Sequence, residues 1–306
     1  MEFRIPKSFK EKYKKLLGEE YEELLNCLKI KPRKSIRVNT IKISVKKLIK
    51  RLRERGWKLE KIPWVKEGFF VKEPEDIARS LEYFLGYYYI QEGSSMIPPL
   101  ILDPKPEDRI LDLCAAPGSK TTQMAAMMKN KGIIVANDDS VKRIKALCMN
   151  LQKCGIKNCI VTITDGRKFW RKGLKFNKIL LDVPCSGSGT IISSYSVFET
   201  WSPYIVFRLS KLQKQLLKSA VRCLEKDGII VYSTCSMDPE ENEDVIDFGV
   251  KKLGLEVEEV KLKGVRYREG IIQWNKKKFN ESVSNAIRIY PHDNLTEGFF
   301  ICRLRR

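Results

Sequence analysis

The sequence predicts an α/β protein whose larger part is a doubly wound parallel sheet, preceded by a small α+β unit and closed by a C-terminal β-hairpin. Two patterns and a length point to this. From Tyr87 onward five short apolar runs recur, in ILDLCAAPGSKT, IIVANDDS, CIVTITD, KILLDVPCS and GIIVYSTC, and each passes into polar or glycine-rich residues. Helical patterns (KTTQMAAMM, VKRIKALCMNLQKC and PYIVFRLSKLQKQLLKSAVRCL) separate most of them. Strands alternating with helices build a parallel sheet covered on both faces. The 306 residues exceed the ~100–200 of a typical domain, and the change of texture divides the chain into 1–85 and 86–306.

The elements follow in order. SFKEKYKKLLGEEYEELLNCLK (8–29) is helical and interrupted around Gly18; SIRVNTIKIS (35–44) is a strand leading to the capped helix VKKLIKRLRERG. WKLEKIPWV and GFFV (68–71) supply further strands of this small, basic unit. In the helix after IIVANDDS, Val141, Ile144, Cys148 and Leu151 recur at helical spacing and are expected to face the sheet. The tail RIYPHDNLTEGFFICRLRR gives two strands around a turn. Ligands of such a Rossmann-like sheet belong at the carboxyl ends of its strands.

Composition narrows the class. Lys and Arg number 58 against 38 Asp and Glu, a formal charge of +20, which suits a nucleic-acid partner because phosphates present a matching negative surface. An ion-pair-rich surface is the competing account. The nine cysteines are odd in number and lack the paired C-x-x-C of a zinc site. Cys27, Cys148, Cys223 and Cys302 have apolar neighbours and are expected to pack in the core. A reduced, cytoplasmic protein without metal follows. The start MEFRIPKSFKEKYKK is too charged for a secretory signal, no apolar run approaches the ~20 residues of a membrane span, and nothing repeats.

DLCAAPGSKT (112–121) ends the first strand of the large sheet and opens a helix, with small residues and Gly118 letting a ligand approach the backbone. It is neither G-x-G-x-x-G nor a P-loop, so hydride cofactors and nucleoside triphosphates are poorly supported. Asp138, twenty residues beyond Gly118 at the second strand's end, is placed to accept ribose hydroxyls, with Asp139 as competitor. Asp112, Asp138, Asp165 and Asp182 close successive strands. Each alone could be a cap; together on one edge they favour an adenosine-type cofactor. Two cysteines follow strands of the same sheet, in D-V-P-C-S-G-S-G (182–189) and S-T-C-S-M-D-P-E-E-N (233–242), so both sulfurs can reach one cleft. Either could be the nucleophile on sequence grounds. Glu240, Glu241 and Asn242 follow a proline and are expected to cap a helix, and the single histidine, His292, to serve packing.

The ordered set D-L-C-A-A-P-G-S-K-T, D-V-P-C-S-G-S-G and S-T-C-S-M-D-P-E-E-N-E resembles the Nop/Sun family of RNA cytosine-5 methyltransferases. RVNTIKIS, YYYIQEGSSMIPP and PHDNLTEGFF extend the resemblance over most of the chain, which is similar to the short archaeal tRNA members. The resemblance implies a class I methyltransferase domain behind an N-terminal RNA-binding domain, with S-adenosylmethionine as cofactor and RNA as partner. It implies that Cys235 attacks carbon 6 of cytosine and that Cys185 releases the covalent intermediate, although the proline-cysteine pair by itself resembles the nucleophile setting of DNA cytosine methyltransferases. Asp182 would bond the target base and Lys120 would sit near the methionine carboxylate. The cofactor set is Cys114, Ala115, Ala116, Pro117, Gly118, Ser119 and Lys120 with Asp138, Arg143, Asp165 and Asp182; Arg143 is the weaker carry-over, five residues past Asp138 and off the apolar stripe.

The activity so implied is tRNA cytosine-5 methylation through a cysteine–carbon 6 adduct. A ribosomal-RNA enzyme shares the motifs, and an inactive RNA-binding assembly factor is the rival from another class. Basic segments (KSFKEKYKK, VKKLIKRLRERGW, NKKKFN, RLRR) are candidates for holding phosphates. Tyr87, Tyr88 and Tyr89 are candidates for base stacking, with the middle one assigned to the core.

Overall fold

A computed structural model describes residues 5–306; the first four residues of the unit expected over 1–85 lie outside the described residues. Helices α1 (Lys7–Leu17) and α2 (Tyr21–Cys27) are joined by a 3-10 turn that begins at Gly18. Strand β1 (Lys34–Val38) leads through a turn to α3 (Val45–Glu54), whose N-cap Ser44 accepts the Lys47 amide. Then come β2 (Lys58–Lys61), β3 (Gly68–Glu73), α4 (Leu81–Phe84) and β4 (Tyr88–Ile90), forming an antiparallel sheet in the order β2-β3-β1-β4. The expected division at 85/86 falls just before β4, which pairs with β1. A change of composition marks where the parallel sheet begins, whereas backbone pairing carries the small sheet to residue 90.

The large sheet opens after α5 (Ile97–Leu102) and runs β5 (Arg109–Asp112), α6 (Ser119–Met127), β6 (Ile133–Asp138), α7 (Val141–Cys154), β7 (Cys159–Ile163) and β8 (Phe176–Asp182). It continues through α8 (Val197–Thr200), α9 (Pro203–Cys223), β9 (Leu224–Thr234) and α10 (Glu243–Leu253). Short strands β10 (Glu256–Glu258), β11 (Arg268–Glu269) and the ribbon β12 (Gln273–Trp274) with β13 (Lys277–Lys278) precede β14 (Ile287–Ile289), α11 (Pro291–Asn294) and β15 (Phe299–Arg305). The order is β11-β14-β15-β9-β8-β5-β6-β7, with β10 also on β15. Strands β5 to β9 are mutually parallel, while β15 runs antiparallel to β9 and to β14, the terminal hairpin expected from the sequence.

Alternation sorts the strand side chains. Leu111, Ile179, Leu181, Ile230 and Tyr232 join the core under α9 and α10, whereas Ile110, Leu180 and Val231 face α5 and α6. On α7 the buried positions are Ile144, Leu147, Leu151 and Cys154; Val141 and Cys148 are exposed. The expected stripe and the observed one share Ile144 and Leu151; the buried sector centres between Leu147 and Leu151, which leaves Val141 and Cys148 outside it on the solvent side. Cys148 is therefore not a core residue, while Cys27, Cys223 and Cys302 are. Tyr88 is buried as expected, and so is Tyr89, whose hydroxyl accepts the Asn150 amide. No helix among the described residues is long and apolar enough to cross a membrane.

Helices α1 and α2 pack away from the small sheet. Phe9, Tyr13, Tyr21 and Leu24 join Ile191, Phe198, Trp201 and Met237 in one core, next to the cysteine loops.

Candidate active site

Strand order reverses between β5 and β8, so the crossovers leave on opposite faces and open a cleft at the carboxyl ends. The four carboxylates reach this edge and then diverge. Asp112 is buried and accepts the Thr121 hydroxyl at 2.7 Å; burial first, then the neighbouring Asp182, pushes its carboxyl up to about 7. Asp138 accepts the Ala116 and Ser140 amides and faces the Arg143 guanidinium at 3.2 Å. The carboxylate expected to receive ribose hydroxyls thus already has protein partners. Asp165 is held by Arg167 through its amide and guanidinium. Asp182 accepts Lys120 Nζ and the Ser233 hydroxyl, each at 2.7 Å.

A cleft of about 300 Å³ is lined by Leu113, Cys114, Asn137, Asp138, Asp165 and Pro184, with Asp139 and Arg143 at its side. Ala115, Ala116 and Pro117 form the turn into α6. Gly118 has a φ of +100°, and a Cβ there would meet Leu147 Cδ1 at 2.7 Å, so only glycine fits between the turn and α7. Ser119 opens α6, its carbonyl accepting Arg37 from the small sheet at 2.7 Å.

The two cysteines lie with Sγ atoms 3.1 Å apart. Contact with Cys235, and then burial, drives the Cys185 thiol well above its ordinary value. Gly189 fixes the spacing: its amide donates to the Cys235 carbonyl at 2.9 Å and its carbonyl accepts the Gly298 amide at 2.9 Å. A Cβ on Gly189 would stand 2.4 Å from the Gly298 oxygen. Lys120 is buried above the Phe299 ring, with Asp182 on one side and Cys235 near enough to favour its charge.

Beneath the sulfurs lies a polar cluster that the sequence did not announce. Asp238, fully buried, accepts the hydroxyls of Ser186, Ser188 and Ser236 at 3.1, 2.8 and 3.2 Å and the Trp201 indole at 3.0 Å. Lys12 on α1 pairs with it at 2.6 Å and with Glu240 at 2.8 Å. Glu241, also buried, accepts the Ser186 amide and hydroxyl. Glu240, Glu241 and Asn242 therefore do not cap α10 with their side chains: Asn242 holds the N-cap position but bonds Thr234 and Ser236 instead. The available signal was serine on both cysteine loops, S-G-S and C-S, close to three carboxylates.

Burial, reinforced by Asp238, raises the Glu241 carboxyl from 4.5 to about 8. The folded state then binds this proton more tightly than the unfolded chain, so stability is lost as pH rises from about 4.5 through about 8. Glu241→Gln is expected to flatten that decline, by on the order of a few kcal/mol at most, in urea titrations across the interval. An unchanged slope would assign the ionisation elsewhere.

His292 stacks on Tyr290 and lies beside Glu20 and Arg268, a packing role. Several residues of the basic segments are engaged within the protein: Lys12 with Asp238, Arg51 with Glu82, Lys277 with Asp244, and Arg303 and Arg305 with Glu258.

A doubly wound sheet whose switch-point cleft adjoins a glycine-containing turn and two touching cysteines defines a Rossmann-like methyltransferase. Residues 99–305 match the family model described as 16S rRNA methyltransferase RsmB/F, and residues 5–93 the N-terminal domain of 16S rRNA methyltransferase RsmF. The chain belongs to the RsmB/F, or Nop/Sun, family of RNA cytosine-5 methyltransferases. It is 44% identical to the tRNA (cytosine(49)-C(5))-methyltransferase of Pyrococcus abyssi, covering 99% of this chain and 97% of that protein. It is 37% identical to the ribosomal RNA small subunit methyltransferase F of Vibrio parahaemolyticus, over 99% of this chain but 63% of that one. The structure of NSun6 from Pyrococcus horikoshii with SFG superposes with a TM-score of 0.85 at 27% identity, over 98% of both chains.

Proposed function

We propose that this chain transfers a methyl group from S-adenosylmethionine to carbon 5 of a cytidine in tRNA, through a covalent bond between Cys235 and carbon 6. The observation that carries the proposal is the contact between the two sulfurs beside the Lys120–Asp182 pair. Full-length similarity to a tRNA enzyme favours tRNA over ribosomal RNA, since the ribosomal relatives extend well beyond this chain's length. The division of labour between residues 1–85 and 86–306, RNA holding and catalysis, is part of the same proposal.

The cleft beside Cys114, Asp138 and Asp165 has the size and edge position of a small-molecule site, and the analogue SFG accompanies the similar NSun6 structure. S-adenosylmethionine bound there supplies an electrophilic methyl group. Asp138, Asp139 and Arg143 would hold the cofactor at the side of the cleft, and Lys120 would neutralise its carboxylate.

The chain's own residues do the rest. Contact with Cys235 and burial oppose ionisation of Cys185, and the Lys120 ammonium lies on the Cys235 side, so the attack is assigned to Cys235. Its addition to carbon 6 breaks the ring conjugation and makes carbon 5 nucleophilic. Asp182, bonded to Lys120 and Ser233, presents its carboxyl to the ring nitrogen and exocyclic amine of the base. Once Cys235 is bonded to carbon 6 it no longer opposes ionisation of Cys185, which gives its proton to solvent. After methylation the Cys185 thiolate takes the carbon 5 proton, the electrons of that C–H bond re-form the ring double bond, and the carbon 6–sulfur bond breaks to return Cys235 as thiolate.

The test is methyl transfer from labelled S-adenosylmethionine to unmodified tRNA transcripts and, separately, to small-subunit ribosomal RNA, with the product mapped as 5-methylcytidine. Labelling of tRNA is expected, and Lys120→Met should lower it by about 10²–10³-fold, the scale of losing one fixed electrostatic group. Labelling confined to ribosomal RNA would reject the tRNA assignment, and labelling of neither would reject the activity.

A further inference from the structure

The 21-residue helix α9 contains five basic residues and no Asp or Glu. Its inner face is committed to the site. Trp201, just before its N-cap, donates to Asp238, and Gln213 donates to the Pro184 carbonyl, next to Cys185. The outer face is unlike an ordinary solvated one. Tyr204 and Phe207 are 66% and 55% exposed, and with Arg208 and Lys211 they recur at helical spacing on that face. Lys218 and Arg222 continue the stripe. Among the described residues, Arg208, Lys211, Lys218 and Arg222 have no acidic partner at ion-pair distance; Lys214, at the edge of the stripe, is the basic residue of this helix that is paired, with Asp244. Lys211 Nζ lies 4.1 Å from the Phe207 ring centre, interleaving cation and aromatic.

Exposed aromatic rings cost solvation unless a partner covers them, and unpaired cations beside them select a partner with flat apolar surfaces and negative charge. RNA bases and phosphates supply both. The patch begins three residues beyond Trp201, whose indole reaches the cluster under the sulfurs, so it starts at the end of the sheet where the cysteine loops lie. Many residues of the basic segments expected to hold phosphates are satisfied internally, which leaves this face among the open cationic surfaces.

We infer that the outer face of the first half of α9 is an RNA-binding surface, on which Tyr204 and Phe207 stack unpaired bases flanking the target cytidine while Arg208 and Lys211 hold their phosphates. The inference rests on the RNA methyltransferase reading for its substrate and adds the place where the substrate lies.

Equilibrium binding of unmodified tRNA transcripts, measured from about 50 to 200 mM salt, tests it without requiring catalysis. Tyr204→Ala/Phe207→Ala is expected to weaken binding about tenfold or more, with the salt slope retained. Arg208→Gln/Lys211→Gln is expected to reduce the slope by about 1.4, two counterions on single-stranded RNA. Lys131→Gln/Lys157→Gln removes the same charge near the amino ends of β6 and β7, and should leave affinity and slope near wild type. S-adenosylmethionine affinity and thermal midpoint serve as folding controls for every variant. If the α9 variants bind as wild type does, or no worse than the charge control, the surface is refuted and the face is left to a protein partner. Wild-type binding of tRNA without methyl transfer would instead remove the proposed activity and leave this surface to be judged by the same variants.

Discussion

Replacing Cys235 with alanine is expected to abolish methyl transfer, by on the order of 10⁴-fold or more, and to leave no RNA–protein band on a denaturing gel. Cys185→Ala is expected to lose turnover but to accumulate that band. The argument is geometric as well as chemical. Two sulfurs 3.1 Å apart cannot both ionise cheaply, and contact with Cys235, together with burial, keeps the proton on Cys185. Lys120 lies on the side of the other sulfur. On the proposed roles, removing Cys235 deletes the attacking group, whereas removing Cys185 leaves attack and methylation and slows release of the adduct. Gels run after incubation with S-adenosylmethionine and unmodified tRNA, beside a methyl-transfer assay, read both steps. A band from Cys235→Ala and none from Cys185→Ala would reverse the roles.

The second large effect is expected at Asp238. Its carboxylate collects three serine hydroxyls from the two cysteine loops, the Trp201 indole and the Lys12 ammonium. Asp238→Ala removes this shared acceptor, stranding the Trp201 indole and leaving Lys12 to Glu240 and the Ser186 hydroxyl to Glu241, and should cost about 3–5 kcal/mol in urea unfolding, the scale for breaking a buried ion pair from one side. Lys12→Met should also destabilise, but the double variant Lys12→Met/Asp238→Ala should lose less than the two single losses together, because each single change leaves a buried charge that the double does not. Burial opposes ionisation of Asp238, yet Lys12 and the hydrogen bonds outweigh it and hold the carboxyl below its usual 3.8. Its contribution is therefore present above about pH 4 and is lost as pH falls through the lowered value, the opposite sign from Glu241. Additive losses in the cycle would show that Lys12 and Asp238 act independently.

The large sheet was legible because its signals are local. An apolar run and the polar residue that ends it depend on neighbours in sequence, so β5 to β9 and the carboxylates at or just past their ends could be found in advance. The pairing of Cys185 with Cys235 was legible as proximity, since both follow strands of one sheet. The α7 stripe was half legible: a 3.6-residue period fits two overlapping stripes there, and only packing against the rest of the fold chooses Leu147 and Cys154 over Val141 and Cys148. The cluster under the sulfurs was not legible, since Lys12 meets its partners from another part of the fold. One lysine of the five in KSFKEKYKK looks like surface until Asp238 is seen opposite it. The same blindness applied to Glu241, whose place after a proline suggested a cap.

The attachment of α1 and α2 has a consequence for the order in which the molecule is made. Lys12 closes on Glu240, 228 residues later, and Glu20 on His292, 272 residues later. A ribosome therefore releases both helices long before their docking surface exists, and their apolar faces must wait, uncovered, until most of the large sheet has emerged. Contacts of such sequence separation form late and slowly. Helices made early thus close over the cysteine loops late, and the nascent chain carries that cluster unfinished until His292 has emerged.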